Sequence, residues 1–592
     1  MCGFLVEFSE NIDFSRWNIA FQNIVHRGPD FSGKHFDKDS AWGHHRLSII
    51  DLGEGSNQPM VKENRKLVYN GEIYNFKELG REIFDLEYSS DTKFLFDYLN
   101  EGFRDFGRFK GFWAFVYQDE TGNTLACRDK LGIKPLYYFK DKSKLVFGSE
   151  VKALLPYLDD IEVNKELIDQ YLIDGGVDGL RRTLLKDIFQ VKQGTFLDNG
   201  LEKRYFDLYS KKKASGIDWH SEVRDAVDYA TVADVPLALS LSSGIDSNLV
   251  NLYSNINTAF TAGKTKRSLI DEYTVVQQVC KERKQLLSIV DVSEKYSYGD
   301  IVKSLDIVDF PSWSLNPMFY STYYAKVRQA GFKVLLEGHG VDEYLGGYQK
   351  HLYDFLYDAF VRFDLNGVRT AHQIIKEANN STYNSEHRPL WQYSIKVILN
   401  FFGIEPLSNS DKRVLSIRGR RMFFPLKLIR PFLINRSEYY RKIDIEEKII
   451  PTVLRVFDRV TMYNGLEMRP PLLDDQLVLS GLSSSYKQLV TEMGQKAPFR
   501  KLLERHNYPK VIVDQKKKYG FSADLHYLLV AASECLHKVD TSVFNYLEID
   551  FNKVQKLYND YSETLDWQEG ETLSRVFSLL IWYSKVLESG NG

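Results

Sequence analysis

The spacing of apolar and polar positions changes character along the chain. Over residues 1–150, short apolar runs alternate with turn signals. Phe112-Trp113-Ala114-Phe115-Val116-Tyr117 is an aromatic-rich run closed by the polar stretch 118–123. It predicts a buried strand and a turn. Leu67-Val68-Tyr69 runs into Asn70-Gly71, a pair that predicts a hairpin turn. Helical patterns interrupt the strands near 14–25 and 91–101. From about residue 220, longer helical patterns alternate with short apolar strands, Pro236–Leu241 and Lys333–Leu336. Such alternation predicts a parallel α/β sheet. Beyond about residue 350 the pattern is mainly helical. The polar stretch Ser210-Lys211-Lys212-Lys213 predicts a boundary near 205–215. Repeats and low-complexity segments are absent from the sequence.

Length and composition narrow the class. A chain of 592 residues makes two to four domains at about 100–200 residues each. With 43% hydrophobic and 27% charged residues, it is neither disordered nor fibrous. Lys and Arg number 77 against 80 Asp and Glu, a net charge of −3. That gives no basic field of the kind nucleic-acid binders use. No run of about 18 apolar residues predicts a membrane span. The opening MCGFLVEFSE carries Glu7 and Glu10 and does not read as a signal peptide. Cys2, Cys127, Cys280 and Cys535 are scattered without a C-x-x-C pair, so neither a disulfide framework nor a zinc site is expected. The expected compartment is the cytoplasm.

Candidate chemistry begins at Cys2. Met before a small residue is normally removed, which would leave Cys2 with a free α-amino group of pKa about 7.7–8.0. A thiol beside an N-terminal amine is an activated nucleophile. The chain also contains His26-Arg27-Gly28-Pro29-Asp30, Arg46-Leu47-Ser48-Ile49-Ile50-Asp51, Asn70-Gly71-Glu72-Ile73-Tyr74-Asn75 and Ser90-Asp91-Thr92. Gly132–Tyr138 and Gly148–Leu155 follow. In this order the segments resemble the class II glutamine amidotransferase domain, an N-terminal-nucleophile hydrolase. The resemblance implies that Cys2 attacks the glutamine amide. Asn70 and the Gly71 backbone N–H would meet the oxyanion. Arg46 would clamp the α-carboxylate, with Leu47, Ile49 and Ile50 beside it. Glu72 and Asp91 would meet the α-ammonium.

A second constellation lies between the strand near Pro236–Leu241 and a helix expected from Asn248. Leu239-Ser240-Leu241-Ser242-Ser243-Gly244-Ile245-Asp246-Ser247 is a strand, a polar glycine loop and a helix start. That arrangement suits a phosphate, through backbone N–H groups and the helix dipole. Asp246 fits such a loop when Mg²⁺ lies between carboxylate and phosphates. The loop resembles the S-G-G-x-D-S motif of ATP pyrophosphatases, with Ser243 in place of the first glycine. Serine is tolerated there if the backbone avoids positive φ. No Walker loop is present. Glu337-Gly338-His339-Gly340-Val341-Asp342-Glu343-Tyr344-Leu345-Gly346-Gly347-Tyr348 is similar to the S-G-E-G-x-D-E-x-x-G-G-Y element of asparagine synthetases. Asp458–Met462, Glu467–Asp474, the Lys496-Ala497-Pro498-Phe499-Arg500 run and Lys518-Tyr519-Gly520-Phe521 look like the same family's later signatures.

The chain is thus identified as resembling the asparagine synthetase family from Cys2 to about Phe521. The resemblance implies an N-terminal αββα sandwich over 2–208. It implies a C-terminal α/β ATP-pyrophosphatase domain with a helical end over 215–592. Leu241, Ser242, Ser243, Gly244, Asp246, Ser247, Ala262, Glu337 and Gly338 would bind ATP, Asp246 and Asp342 would hold Mg²⁺, and Lys496 would balance phosphate charge. No prosthetic group is implied. A carboxylate would be adenylated and then amidated by ammonia released from glutamine, with AMP and pyrophosphate as products. Aspartate is the default acceptor. Yet His339 stands where the similar synthetases carry an acidic residue, and Glu337 where they carry serine. An imidazole there can act as a base for the amine, and it changes the charge and shape of the acceptor site. A sugar acid of a surface polysaccharide or another small carboxylate is the alternative acceptor. A non-catalytic scaffold relative would have lost Cys2, Asn70, Asp246, Asp342 or Lys496, and all five are present. Amidotransferases joined to a sugar-isomerase or phosphoribosyl-transfer domain match only the first half. The expected partners are glutamine, ATP and the acceptor, with neither nucleic acid nor membrane. Members of the family often form homodimers.

Overall fold

The computed structural model describes residues 2–208, 210, 216–263, 272–292, 295–381, 404–406, 413–414, 416–418, 426–428, 435–515 and 523–590. The N-terminal half holds a pair of six-stranded antiparallel sheets that face each other. One carries Gly3–Ser9 between Ser40–Arg46 and Lys144–Gly148. The other carries Gly111–Gln118 between Arg65–Ile73 and Thr124–Arg128. The period of two decides which side chains meet. Phe4 and Val6 enter the space between the sheets with Val68, Val116 and Ala126. Leu5 faces outward, against Trp17 and Phe21 of the Phe14–Gln22 helix. On the far side, Leu67 and Tyr69 pack with Phe94 and Leu95 of the Asp91–Asn100 helix. The result is the αββα sandwich expected from the sequence.

The predicted turn at Asn70-Gly71 is not there. Both residues lie inside the strand Arg65–Ile73, where Gly71 pairs with Trp113. The local turn signal is overridden by a strand pairing that runs from Lys66 to Ile73. Glycine is required for a different reason. A Cβ at Gly71 would sit 2.2 Å from the Phe112 carbonyl oxygen. The close approach of the neighbouring strand therefore selects the residue.

The C-terminal half is built on a five-stranded parallel sheet ordered Leu286–Val290, Thr258–Ala262, Leu237–Ser240, Val334–Leu336, Glu467–Arg469. The strands predicted near 236–241 and 333–336 are the third and fourth of these. The chain adds strands first to one side of Leu237–Ser240 and then to the other. In such sheets the ends of the two strands at the reversal form a cleft, the usual ligand position. The helix expected from Asn248 begins earlier, as Ile245–Tyr253. Asp246 and Ser247 therefore sit in its first turn rather than in the loop.

From residue 349 onward the described elements are mainly helices, as the pattern predicts. The final helix, Trp567–Gly590, packs back on the N-terminal half: Tyr171 donates to the Arg575 carbonyl at 3.2 Å, and Arg575 Nη1 donates to the Leu172 and Ile173 carbonyls at 3.1 and 2.6 Å. Within the second half, its Trp582 indole N–H donates to the Asp309 carbonyl at 2.6 Å. Leu5, Trp17, Phe577 and Trp582 belong to one buried cluster, so the two halves share a core. Among the described residues, no helix is long and apolar enough to cross a membrane.

Candidate functional site

Cys2 directly precedes the strand Gly3–Ser9 of one sheet, and Asn70 belongs to the strand Arg65–Ile73 of the other. The stacking of the sheets brings the two together. The Cys2 backbone N–H donates to Asn70 Oδ1 at 3.0 Å. This fixes the amide so that its Nδ2 points elsewhere, and that nitrogen is buried with no hydrogen-bond partner among the described residues. A buried, unsatisfied donor is costly. Beside a nucleophile, it is the group that a developing oxyanion would satisfy. Burial pushes the Cys2 thiol above its ordinary range. The N-terminal positive charge, the Leu47 backbone N–H and Arg46 pull the other way.

Arg46 ends the strand Ser40–Arg46 and is buried. Its Nη1 donates to the Gly53 carbonyl and to Asn57 Oδ1, both at 2.8 Å. Its Nη2 donates to the Ile50 carbonyl at 3.3 Å and to the Asp51 carbonyl. The guanidinium thus shapes the loop after Ile50, and a bound carboxylate would share the fork with that loop. Leu47, Ile49 and Ile50 are buried and join the core of the second sheet. Asp91 is buried at the start of its helix. It accepts from Tyr69 Oη at 2.9 Å, the Ile73 N–H at 3.2 Å and the Thr92 N–H at 2.8 Å. Burial dominates these bonds and raises its pKa to about 6.

Glu72 behaves differently from Asp91. It lies 3.8 Å from Arg469 Nη2, across the junction of the two halves, and Arg469 is held by Glu467 at 2.5 Å. Burial first, and the charge of Glu467 second, push the Glu72 carboxyl well above the usual carboxylate range. Near neutral pH the anionic carboxylate of the pair is therefore Asp91, the one that would suit an α-ammonium. Below about pH 6 Asp91 takes up a proton and loses its attraction for a cation. The KM for glutamine should then rise as pH falls through about 6, approaching tenfold per unit. Asp91→Asn should raise KM at pH 7.5 and flatten the profile. An unchanged acid limb in that variant would assign the titration elsewhere.

The second site lies at the strand reversal, in a cleft of about 390 Å³. One wall is the loop Leu241–Gly244 with Asp246 and Ser247; the other is the loop 337–340 with Asp342. Side chains lace the first loop together. Ser242 and Gly244 N–H donate to Ser247 Oγ and Ser242 Oγ at 3.1 Å, and Asn248 Nδ2 donates to the Ser242 and Gly244 carbonyls at 2.8 and 2.7 Å. Ser243 is not among the residues with positive φ, which meets the condition under which serine can replace glycine. Gly338 lets the loops touch, since a Cβ there would be 2.5 Å from the Ser247 nitrogen. Ala262 ends the neighbouring strand and lines the same cleft.

Lys496, Asp246 and Asp342 meet at one point. Lys496 Nζ lies 2.6 Å from an oxygen of each carboxylate. Burial opposes its charge, but the two carboxylates outweigh burial and raise its pKa. Two carboxylates converging from facing loops are hard oxygen donors that suit Mg²⁺ together with phosphate oxygens. On the far wall, His339 Nε2 lies 2.6 Å from Glu337 Oε2, which also accepts from Tyr324 Oη at 3.1 Å. Burial alone would lower the His339 pKa; the Glu337 carboxylate raises it instead. The Phe457 ring packs on the imidazole at 4.4 Å between centroids.

Tyr324 and Phe457 were not singled out from the sequence. Tyr320, Tyr323 and Tyr324 recur at helical spacing in Pro317–Gln329, which reads as packing, and only the fold turns them towards the cleft. Lys518–Phe521 lies outside the described residues.

The family model described as a glutamine amidotransferase domain matches residues 1–209, and the one described as asparagine synthase matches residues 218–584. Asparagine synthetase [glutamine-hydrolyzing] 1 of Bacillus subtilis (strain 168) is 27% identical over 96% of this chain and 93% of its own length. Putative asparagine synthetase [glutamine-hydrolyzing] 2 of Methanocaldococcus jannaschii is 29% identical over 64% of this chain and 84% of its own length. Amidase chry2 of Gibberella zeae is 28% identical over 56% of this chain and 55% of its own length. With both halves matched in order, the chain belongs to the asparagine synthase family, whose members are glutamine-dependent amidotransferases of the asparagine synthetase type.

Proposed function

We propose that this protein is a two-site ligase that hydrolyses glutamine at Cys2 and transfers the ammonia to a carboxylate activated by ATP. The observation that carries the reading is Asn70. It accepts from the Cys2 backbone and leaves its own buried Nδ2 without a hydrogen-bond partner among the described residues. With Met1 removed, the Cys2 amine takes the thiol proton and the thiolate attacks the glutamine amide carbon; the amide C–N bond then breaks, the amine returns the proton to the leaving nitrogen, and ammonia departs from a thioester. Asn70 Nδ2 and the Gly71 N–H meet the oxyanion, and Arg46 and Asp91 hold the two charges of the amino acid. Water then releases glutamate.

In the second site the loop Leu241–Gly244 and the first turn of Ile245–Tyr253 cradle the phosphates of ATP. Asp246 and Asp342 would hold Mg²⁺, which, when bound, neutralises phosphate charge. Lys496 stabilises negative charge on the α-phosphate and on the departing pyrophosphate while the acceptor carboxylate attacks. His339, oriented by Glu337, takes a proton from the incoming amine as the carboxamide forms. Ammonia would travel by an internal route, because in open water it would mostly protonate and lose its nucleophilicity. Domain limits of 2–208 and 215–592 and a cytoplasmic location accompany this proposal.

Aspartate is the acceptor proposed first, on the names of the relatives. One observation favours a different carboxylate. Among the described residues of the cleft, the Lys and Arg side chains are Lys496 and Arg500. Lys496 is held by two carboxylates, and Arg500 donates to the carbonyls of Gln495, Val513 and Gln515 at 3.0, 2.8 and 2.9 Å. A second acceptor carboxylate would have to share Lys496 or Arg500 with the partners they already hold. The test incubates the protein with Mg-ATP and amide-¹⁵N-glutamine, with and without aspartate. Labelled asparagine with matching AMP identifies aspartate. Glutamate without asparagine, followed by a labelled amide from a uronic acid, identifies the second reading. No glutamate from protein whose intact mass shows Met1 removed, with either acceptor present, overturns the proposal.

A further inference from the structure

Cys2 is held at both ends of its backbone. Its N–H is fixed by Asn70, and its carbonyl oxygen accepts from Arg27 Nε at 3.0 Å. Arg27 is fully buried, so its guanidinium goes where its partners are. One partner, Glu150, lies in the same half of the chain, 2.6 Å from Nη1. The other is Asp458, in the helix Ile449–Tyr463 of the second half, and it takes both terminal nitrogens, Nη1 at 2.9 Å and Nη2 at 3.2 Å. A paired fork of this kind sets direction as well as distance. Asp458 is steadied in turn by Arg459 Nη1 at 2.9 Å, with Lys134 Nζ 3.8 Å away.

We infer that Asp458 is a positioning residue for Cys2, acting across the junction of the two halves through Arg27. This rests on the reading of Cys2 as the nucleophile. The same helix has a second role on its other face. Val453 and Phe457, four residues apart and so on one face, line the nucleotide cleft, and Phe457 packs on His339. Asp458 follows Phe457 directly. One rigid element thus touches the acceptor wall of the second site and, one residue on, sets the arginine that holds the nucleophile of the first. Glu150 meets only Nη1, whereas Asp458 also takes Nη2, so without Asp458 the far side of the fork loses the carboxylate that sets the plane of the guanidinium and the direction of Nε.

The test measures glutamate release by Asp458→Asn and Asp458→Glu, with Met1 removal checked by mass. A displacement of about 1 Å at a nucleophile can cost on the order of 10²-fold in rate. Asp458→Asn should lower kcat for glutamine by about 30- to 100-fold. Its KM should stay within about twofold, because Arg46 and Asp91 do not touch Asp458. Asp458→Glu keeps the charge and displaces the fork by one methylene, so its loss should be smaller, about three- to tenfold. Mg-ATP affinity, measured by calorimetry, should be unchanged in both. Unchanged kcat in the variants overturns the inference, as does a parallel change in KM, Mg-ATP affinity and Tm, which would mark a merely structural role. If the Asn variant does not fold, the Glu variant decides by the same readouts. A wild-type protein that releases no glutamate would instead refute the assignment of Cys2.

Discussion

Replacing Cys2 by alanine should abolish glutamine hydrolysis and leave amide formation from free ammonia intact. Among the described residues of the first site Cys2 is the thiol, Asn70 and Arg46 carry no nucleophile, and the Asp91 carboxylate is occupied by Tyr69, Ile73 and Thr92. The expected loss is at least about 10³-fold, because removing a nucleophile forfeits the covalent route and leaves only binding and oxyanion stabilisation. The second site should be indifferent. Its loops, Leu241–Gly244 and 337–340, are built on a different sheet. With ammonium salts in place of glutamine, Mg-ATP should still yield AMP at close to the wild-type rate. Measuring glutamate and AMP in parallel makes the test internal. Retained glutamate release would remove Cys2 from the mechanism, and loss of both products would mean that the substitution had damaged the fold.

Lys496→Met should have the mirror effect. The lysine is buried and lies 2.6 Å from both Asp246 and Asp342. Without it, negative charge building on the phosphates loses its fixed cation, and AMP formation should fall by about 10²- to 10³-fold. Glutamine hydrolysis should stay within about twofold of wild type. The substitution also leaves two carboxylates facing each other without their counter-charge. Removing one partner of a buried ion pair costs about 3–5 kcal/mol, so Tm should drop. Mg²⁺ can supply the missing charge to the two carboxylates. Millimolar Mg²⁺ should therefore raise the Tm of Lys496→Met more than that of the wild type. Equal shifts in the two proteins would show that Asp246 and Asp342 do not share a cation.

Much of this was legible before folding, and the misreadings are instructive. The aromatic run Phe112–Tyr117 became a strand because alternate side chains bury on both of its faces. The strand, glycine loop and helix around Ser242–Ser247 were readable because an apolar run, a Ser/Gly turn and an amphipathic stretch follow one another in the sequence. Asn70-Gly71 misled because a two-residue signal carries only local preference, whereas pairing with Gly111–Gln118 is a long-range contact that outweighs it. Glu72 and Asp91 look alike in a motif. They separate only when Glu467 and Arg469, almost four hundred residues away in the chain, arrive beside Glu72.

The family was determined by the sequence, because the chemistry proposed here calls for a nucleophile, an oxyanion donor, a phosphate loop and a charge-balancing lysine, and these show as residue types at set positions. The tertiary structure decided how those groups are poised. The facing sheets aim Asn70 Nδ2, the strand reversal brings Asp246 and Asp342 onto one lysine, and the packing of Ile449–Tyr463 places Asp458 against Arg27. These are contacts between segments separated by 68 residues in the case of Cys2 and Asn70 and by 431 in the case of Arg27 and Asp458. Periodicity and spacing report only on neighbours along the chain, so no local pattern records them.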